Sequence, residues 1–235
     1  MKPQNSSKAP LKEGASPAER SSAGVSPARF LPADANVAIR NRGHLPHWEV
    51  ERSTYFVTFR LADSLPNEVL QKLRFDREDI PSTAAQKGRN ISESEQHRLL
   101  ELQTDRIEQS LDAGAGACWL RKETIAALVA NSLRQFDGTR HRLFAWAIMP
   151  NHVHVVFQTL GEFALPGVLH SWKSFSAKEG NKPLHRSGEF WQREYYDRLV
   201  RDEVEFFRLV QYVVDNPKRA GLRNWLWVWQ MKNVG

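Results

Sequence analysis

The order of predicted elements along the chain indicates an α+β fold, an antiparallel sheet with helices packed on one face. Alternating apolar residues predict a strand at 54–61 and two more on either side of a Pro150–Asn151 turn. Amphipathic stretches between and after these strands predict helices. The single cysteine, Cys118, excludes a disulfide framework within the chain and a cysteine-based zinc cluster.

The composition is that of a folded protein with a basic surface. Of the 235 residues, 41% are hydrophobic and 26% are charged, which is enough to build a core. Lysine and arginine total 33 against 27 acidic residues, and the resulting net charge of +6 favours a polyanionic partner such as nucleic acid. No apolar run approaches the roughly 20 residues of a spanning helix, and a signal-peptide core is missing. We therefore expect a cytoplasmic, nucleoid-associated protein without a membrane partner.

The chain is expected to divide near residue 43. Its first thirty residues are dominated by Ser, Ala, Pro and Gly, which bury too little apolar surface to offset the entropy of ordering. This composition predicts a disordered tail over residues 1–42 and one domain over 43–235. Within that domain the polar stretch from about 77 to 112 contains a capping-box pair, Ser92 and Glu95, which predicts a helical insertion.

The remaining elements alternate in type along the chain. With the insertion set aside, their order approximates a ferredoxin-like split βαβ sandwich. In sequence they are a strand at 54–61, a helix at 120–136, paired strands at 142–149 and 152–158, a helix at 165–178 and an extended segment at 190–199.

The last predicted helix opens with a second capping box, formed by Asp202 and Glu205. It is expected to end near Asn216, because Pro217 cannot donate a helical hydrogen bond. Tyr212 and Asn216 lie four residues apart and therefore share one stripe of the helix surface.

Two histidines stand in the strand that follows the turn. His152 and His154 are two residues apart, so both imidazoles point to the same face, about 6.6 Å apart along the chain. Two imidazoles on a rigid strand can share one cation. The alternative interpretation is a pair of surface histidines beside a turn.

The last helix offers two side chains that would complement a metal bound by the histidines. The amide oxygen of Asn216 could be a third ligand, and a mixed nitrogen and oxygen site suits Mg²⁺ or Mn²⁺ serving a phosphate. Tyr212 would place its hydroxyl beside the ion. Tyrosine, with a free pKa near 10, becomes a useful nucleophile when a metal polarises its target. Alternatively, Tyr212 is a rim residue with its hydroxyl in water.

Several motifs in this order are similar to a known family. Residues 149–157, MPNHVHVVF, resemble the signature strand of HUH single-tyrosine transposases and, more narrowly, of REP-associated tyrosine transposases (RAYT). The segments FWQREYYDR at 190–198 and YVVDNPKRAG at 212–221 resemble the same group, as do residues 45–48 and 171–175. The resemblance covers most of residues 43–222.

The resemblance implies a transposase that nicks and joins single-stranded DNA at hairpin, REP-like sequences through a 5′-phosphotyrosine intermediate. It assigns Tyr212 as the nucleophile and His152, His154 and Asn216 as ligands of Mg²⁺ or Mn²⁺. Related insertion-sequence transposases often carry Gln at the position of Asn216. Insertion-sequence relatives act as dimers and the REP-associated group as monomers, so either a monomer or a homodimer is expected.

Two neighbouring tyrosines, Tyr195 and Tyr196, are rival nucleophiles by residue type. They match aromatic positions of the family motif, so packing or DNA contact is the expected role. Two other functions stay open, namely a non-catalytic hairpin-binding regulator and a metal phosphodiesterase in which water attacks.

Basic side chains near the motifs are candidates for holding the DNA backbone, with solvated surface charge as the alternative for each. These candidates are Arg193, Arg198, Arg201, Lys173, Lys178, Lys182, Lys218 and Arg219.

Overall fold

The computed structural model describes residues 38–42, 45–66, 68–69, 71 and 107–232. The strands are β1 (Ala38–Arg42), β2 (Leu45–Glu49), β3 (Thr54–Arg60), β4 (His141–Ile148), β5 (His152–Thr159), β6 (Tyr196–Leu199) and β7 (Val228–Gln230). The helices are α1 (Glu123–Arg134), α2 (Leu165–Asn181) and α3 (Glu203–Arg219), and a 3₁₀ turn at Trp119–Arg121 precedes α1. Residues 107–112 are also helical and are called the 107–112 segment below.

The main sheet has five strands in the order β6-β3-β5-β4-β7, and each neighbouring pair is antiparallel. Strand β5 is therefore central, with hydrogen-bonded neighbours on both sides. β1 and β2 form a separate antiparallel pair. The order β3-α1-β4-β5-α2-β6 is a split βαβ arrangement, so the predicted α+β class and ferredoxin-like sheet are confirmed.

Helices cover both faces of the sheet. α1 and α2 pack on one face, where Val57, Val155 and Phe157 point. α3 packs on the other face, against Phe56 and Val156. The expectation that the helices lie on one face holds for α1 and α2 and is wrong for α3. The physical reason is that β3 and β5 carry apolar residues on both faces, so each face needs a cover.

The last helix begins as predicted and ends later than predicted. At its start, the backbone N–H of Glu205 donates to Asp202 Oδ1 at 2.7 Å. At its end, α3 passes through Pro217 and continues to Arg219. A proline this close to the terminus removes one donor, whereas the carbonyl of Asn216 still accepts a hydrogen bond from Ala220 at 2.9 Å.

Two predictions about chain organisation concern the N-terminal part. Residues 38–42 were expected to belong to the tail and instead form β1, because β2 supplies a strand that pairs with them in register. Residues 1–37, and residues 77–106 of the insertion expected at about 77–112, lie outside the described residues. In the part of the chain that is described, no helix is both long enough and apolar enough to cross a membrane.

Candidate active site

The two motif histidines are buried side by side on the central strand. His152 and His154 are each 1% exposed, so the alternative of two surface histidines is wrong. Their rings lie 4.6 Å apart between centroids, and their Nε2 atoms face each other at 3.0 Å. Both imidazoles point to the face covered by α3, because Val153 and Val155 point to the opposite core.

Each histidine is held at its other ring nitrogen. Nδ1 of His154 lies 2.7 Å from Thr58 Oγ1, on the neighbouring strand β3. Nδ1 of His152 lies 2.8 Å from Oδ1 of Asn151, whose Nδ2 donates to the carbonyl of Ala115 at 2.9 Å. Sequence reasoning missed Thr58, since cross-strand register cannot be read from local pattern. It treated Asn151 only as a turn residue.

Both histidines are electrically neutral at physiological pH. Burial, together with the cation of Arg219, lowers the pKa of His154 to about 3. Burial, followed by the neighbouring His154 and by Arg60, lowers the pKa of His152 well below its ordinary value. A neutral imidazole keeps a lone pair, which is the form that binds a metal ion.

Tyr212 packs against one of these two histidines, His154. The centroid of its ring is 5.5 Å from the ring centroid of His154 and 5.8 Å from that of Phe56, and both ring pairs have an edge-on geometry. Its hydroxyl is hydrogen-bonded to Glu108, in the 107–112 segment. Burial is the main cause that raises the pKa of Tyr212 above its ordinary value; Glu108 and Asp112 add to it and Arg219 opposes it. The tyrosine is therefore protonated at neutral pH, and its nucleophilic use requires a proton acceptor.

Asn216 follows Tyr212 by one turn of α3. Its side chain is 1% exposed, and its Oδ1 has no hydrogen-bond partner among the residues that the structure describes. Buried amide oxygens are nearly always hydrogen-bonded, so an unsatisfied one suggests a ligand-binding role.

The donor set fits a divalent cation. Two Nε2 atoms 3.0 Å apart match two metal–nitrogen bonds of about 2.1 Å at roughly a right angle. No cluster of three or more His, Cys, Asp or Glu side chains suited to a metal occurs within residues 107–232 or the other described ranges. The unsatisfied oxygen of Asn216 is a candidate for a third protein ligand of another type.

The rival tyrosines are separated by the sheet. Tyr195 is buried in the core on the α1 and α2 face, away from the histidines, with the ammonium of Lys173 5.7 Å from its ring centre. Tyr196 lies on the α3 face, and its ring is 6.2 Å from that of Phe56. Tyr196 is also two strands away from His154, because Thr58 is the register partner of both residues.

Three of the basic candidates already have partners. Lys173 Nζ donates to the carbonyls of Gln192 and Arg193 at 2.7 and 2.8 Å, and burial lowers its pKa to about 8. Arg198 forms an ion pair with the carboxylate of Glu205, and Lys182 forms one with Glu179. The five remaining candidates are exposed, namely Arg193, Arg201, Lys178, Lys218 and Arg219.

Of the exposed candidates, Arg219 contacts a site residue. Its guanidinium lies 5.1 Å from the centre of the Tyr212 ring. A second arginine, Arg60, was missed by sequence reasoning. It is the register partner of His152 on β3, and its charge contributes to the lowered pKa of that histidine.

Residues 120–216 match the family model described as transposase IS200 like. The matched range contains both histidines, Tyr212 and Asn216, and the resemblance found in the sequence motifs is thereby confirmed. Over these residues the chain is similar to IS200-like transposases.

Comparison with individual proteins gives one curated relative and two solved structures of interest. An uncharacterized protein of Haemophilus influenzae is 28% identical over 97 residues, which cover 32% of this chain and 54% of that protein. The chain thus spans about half the length of the curated relative that it matches.

The two solved structures are a REP-associated tyrosine transposase bound to a REP hairpin and a putative transposase from Deinococcus radiodurans. The first is 11% identical, with a TM-score of 0.43, over 80% of this chain and 82% of that one. The second is 14% identical, with a TM-score of 0.32, over 74% and 94% of the two chains.

Proposed function

We propose that this protein nicks and joins single-stranded DNA at hairpin, REP-like sequences, with Tyr212 as the nucleophile. His152, His154 and Asn216 are the proposed ligands of Mg²⁺ or Mn²⁺. The observation that carries the proposal is the 5.5 Å separation between the rings of Tyr212 and His154 on one buried face of the sheet. A hydroxyl nucleophile and a neutral imidazole pair are thereby held together by α3 and the central strand.

The proposed reaction exchanges one phosphoester for another. Tyr212 Oη forms a bond to the phosphorus while the bond from phosphorus to the 3′ oxygen breaks, and the 5′ side stays on the tyrosine. The tyrosine gives up its proton, and the departing 3′ oxygen gains one. Attack by a second 3′-hydroxyl reverses the step and joins strands without an external energy source. A divalent cation, when bound, would polarise the phosphate.

Glu108 is the candidate acceptor for the tyrosine proton, because its carboxylate is already hydrogen-bonded to the Tyr212 hydroxyl. The acceptor was not visible in the sequence. Glu108 lies in a part of the chain that the sequence suggested only as an insertion.

The DNA is proposed to approach the exposed end of α3. Lys218 and Arg219 are exposed there, and Arg219 already contacts the Tyr212 ring. Arg193 and Arg201 are exposed at either end of the stretch that contains β6 and are further candidates for phosphate contact. A cytoplasmic location and a monomeric or homodimeric state remain part of the proposal.

The test is a covalent-adduct assay on denaturing gels. Single-stranded stem-loops from DNA flanking the gene carry a 3′ label, and Mg²⁺ or Mn²⁺ is added to wild type, Tyr212→Phe, Tyr196→Phe and Tyr195→Phe. We expect a labelled protein band that disappears only in Tyr212→Phe, while that variant still binds the hairpin. Tyr195→Phe is the control on the opposite face of the sheet.

The other outcomes separate the alternatives. Cleaved DNA without an adduct, surviving in Tyr212→Phe, would indicate a phosphodiesterase in which water attacks. Tight binding of several flanking hairpins with neither product would indicate a non-catalytic regulator.

A further inference from the structure

The outer nitrogens of both motif histidines are engaged by neutral side chains that are themselves buried. Asn151 is 0% exposed and Thr58 is 7% exposed. Metal-binding histidines commonly depend on a hydrogen bond at the second ring nitrogen, which fixes the tautomer and the orientation of the ring. The two contacts therefore have consequences for any cation that the Nε2 atoms bind.

The contact of Asn151 determines which nitrogen of His152 carries the proton. The carbonyl of Ala115 can only accept a hydrogen bond, so the Asn151 atom 2.9 Å away from it must be the donating amide nitrogen. The amide oxygen of Asn151 then faces His152 Nδ1 at 2.8 Å and can only accept. Nδ1 must carry the hydrogen, which leaves the lone pair on Nε2.

Thr58 can do the same for His154. A threonine hydroxyl is able to donate or to accept. When Nδ1 of His154 carries the hydrogen, Thr58 Oγ1 accepts it at 2.7 Å, and the Nε2 lone pair again faces the partner histidine. The antiparallel register of β3 and β5 places Thr58 directly opposite His154.

Asn151 is itself held by the chain that follows the 107–112 segment. Ala115 precedes Gly116 and Ala117, and the backbone N–H of Ala117 donates to Asp63 Oδ2 at 2.9 Å. The backbone N–H of Leu61 donates to the carbonyl of Asn151 at 2.8 Å. Both ends of Asn151 are thus fixed, and its amide cannot rotate without losing a buried hydrogen bond.

We propose that Asn151 and Thr58 are positioning residues that hold His152 and His154 in the tautomer and orientation required to bind one divalent cation through both Nε2 atoms. The inference rests on the metal site of the proposed function. The inference assigns a role to Thr58, which lies on β3 outside the histidine motif, and to Asn151, which directly precedes His152.

The first experiment is a Mn²⁺ titration of the DNA-free protein, in which binding is measured by calorimetry. Thr58→Val keeps the shape of the side chain and removes the hydroxyl, and it is expected to weaken Mn²⁺ binding about 10–100-fold. Thr58→Ser keeps the hydroxyl and is expected to bind within about 3-fold of wild type. Thr159→Val is the matched control, since Thr159 is also buried, on β5, and its hydroxyl has no partner in the described chain.

Asn151 is tested by two substitutions that differ in what they keep. Asn151→Leu loses both hydrogen bonds and is expected to weaken Mn²⁺ binding to the same degree as Thr58→Val. Asn151→Asp loses the contact with Ala115 and keeps an acceptor for His152, so its Mn²⁺ affinity is expected to stay near wild type. If Asn151 merely supported the Ala115 loop, both variants would bind equally poorly.

The outcomes distinguish this inference from the proposed function. Wild-type protein that binds no Mn²⁺ would overturn the metal site itself. Wild-type binding with no loss in Thr58→Val would overturn the positioning roles and leave the site intact. Nitrogen-15 spectra of histidine-labelled protein give a second readout without metal: His152 should carry its hydrogen on Nδ1 in wild type. Nε2-protonated His152 in wild type would contradict the assignment even if Asn151→Leu did not fold.

Discussion

The Tyr212 hydroxyl is hydrogen-bonded to the carboxylate of Glu108, so the candidate nucleophile on α3 is joined to the 107–112 segment that precedes α1. The charge of Asp112, at the end of the same segment, also raises the pKa of Tyr212. Burial raises the pKa of Asp112 itself, and the charge of Arg219 opposes that rise. The surroundings of the tyrosine are therefore acidic on the side of the 107–112 segment. They are basic where Arg219 packs on the ring.

Glu108→Gln keeps the size of the side chain and removes its basicity. Because a positioned proton acceptor contributes about 10²–10⁴-fold to a rate, adduct formation is expected to slow at least about 100-fold. Hairpin affinity should hold or improve, since one negative charge leaves the site. The measurement is the single-turnover rate of adduct formation, with Glu203→Gln, an exposed residue in the first turn of α3, as control. An unchanged rate would remove Glu108 from the reaction.

Asn216→Leu is expected to stabilise the protein while weakening the site. The substitution replaces a buried, unsatisfied amide oxygen with an apolar group of similar shape, which relieves a penalty of about 1 kcal/mol. Mn²⁺ affinity and adduct formation should both fall. Urea denaturation with a chelator present measures the free energy of unfolding. A loss of stability would mean that the oxygen has a protein partner after all.

The lowered pKa of Lys173 predicts a rise in stability with pH. In the folded protein this lysine loses its proton near pH 8, whereas in the unfolded chain it holds it to about pH 10.5. The unfolded state therefore binds more protons between these values, and the free energy of unfolding should rise through this window as pH increases. Below about pH 8 the cost of burying the charge is present in full.

The measurement compares wild type with Lys173→Met in urea at pH 7 and pH 9. The stability of wild type relative to the variant should increase by about 1 kcal/mol between these pH values. Lys178→Met, an exposed position on the same helix, is the control and should show no such trend. A difference independent of pH would contradict the buried, carbonyl-bound placement of the Lys173 ammonium.

Gly116→Ala is expected to destabilise the protein much more than Gly114→Ala. Both glycines have positive φ, at +87° and +74°, where a side chain costs about 1–2 kcal/mol. A Cβ on Gly116 would also lie 2.4 Å from the backbone oxygen of Asp63, while a Cβ on Gly114 has nothing within 4 Å. Thermal unfolding should therefore show a loss at Gly116 exceeding that at Gly114 by at least about 1 kcal/mol. Equal losses of stability would show that the backbone at Asp63 moves away from the added Cβ at no energetic cost.

Local pattern was sufficient for the elements that carry the motif. Alternation placed His152 and His154 on one face of a strand, and the four-residue spacing of Tyr212 and Asn216 placed them on one stripe of a helix. Both inferences need only the repeat of a strand or a helix. The face of the sheet on which α3 packs was harder to predict. The sequence indication was Phe56, which makes β3 apolar on both faces.

What pattern could not supply is contact between distant parts of the chain. Thr58 meets His154 only because β3 and β5 pair in one particular register. Glu108 reaches Tyr212 through the packing of a polar segment that has no motif of its own. Burial of the histidines follows from the cover that α3 provides, and it explains why two polar side chains beside a turn are not in solvent.

The central place of β5 divides the site into parts of unequal mobility. Strand β5 has hydrogen-bonded neighbours on both sides, so its amides exchange with solvent only when the whole sheet opens. α3 is attached through one apolar face, and its last turn already lacks the donor that Pro217 cannot supply. Deuterium uptake should thus be slowest around the histidines and faster toward the end of α3. We therefore expect movement of α3 to displace Tyr212 more readily than the imidazole pair.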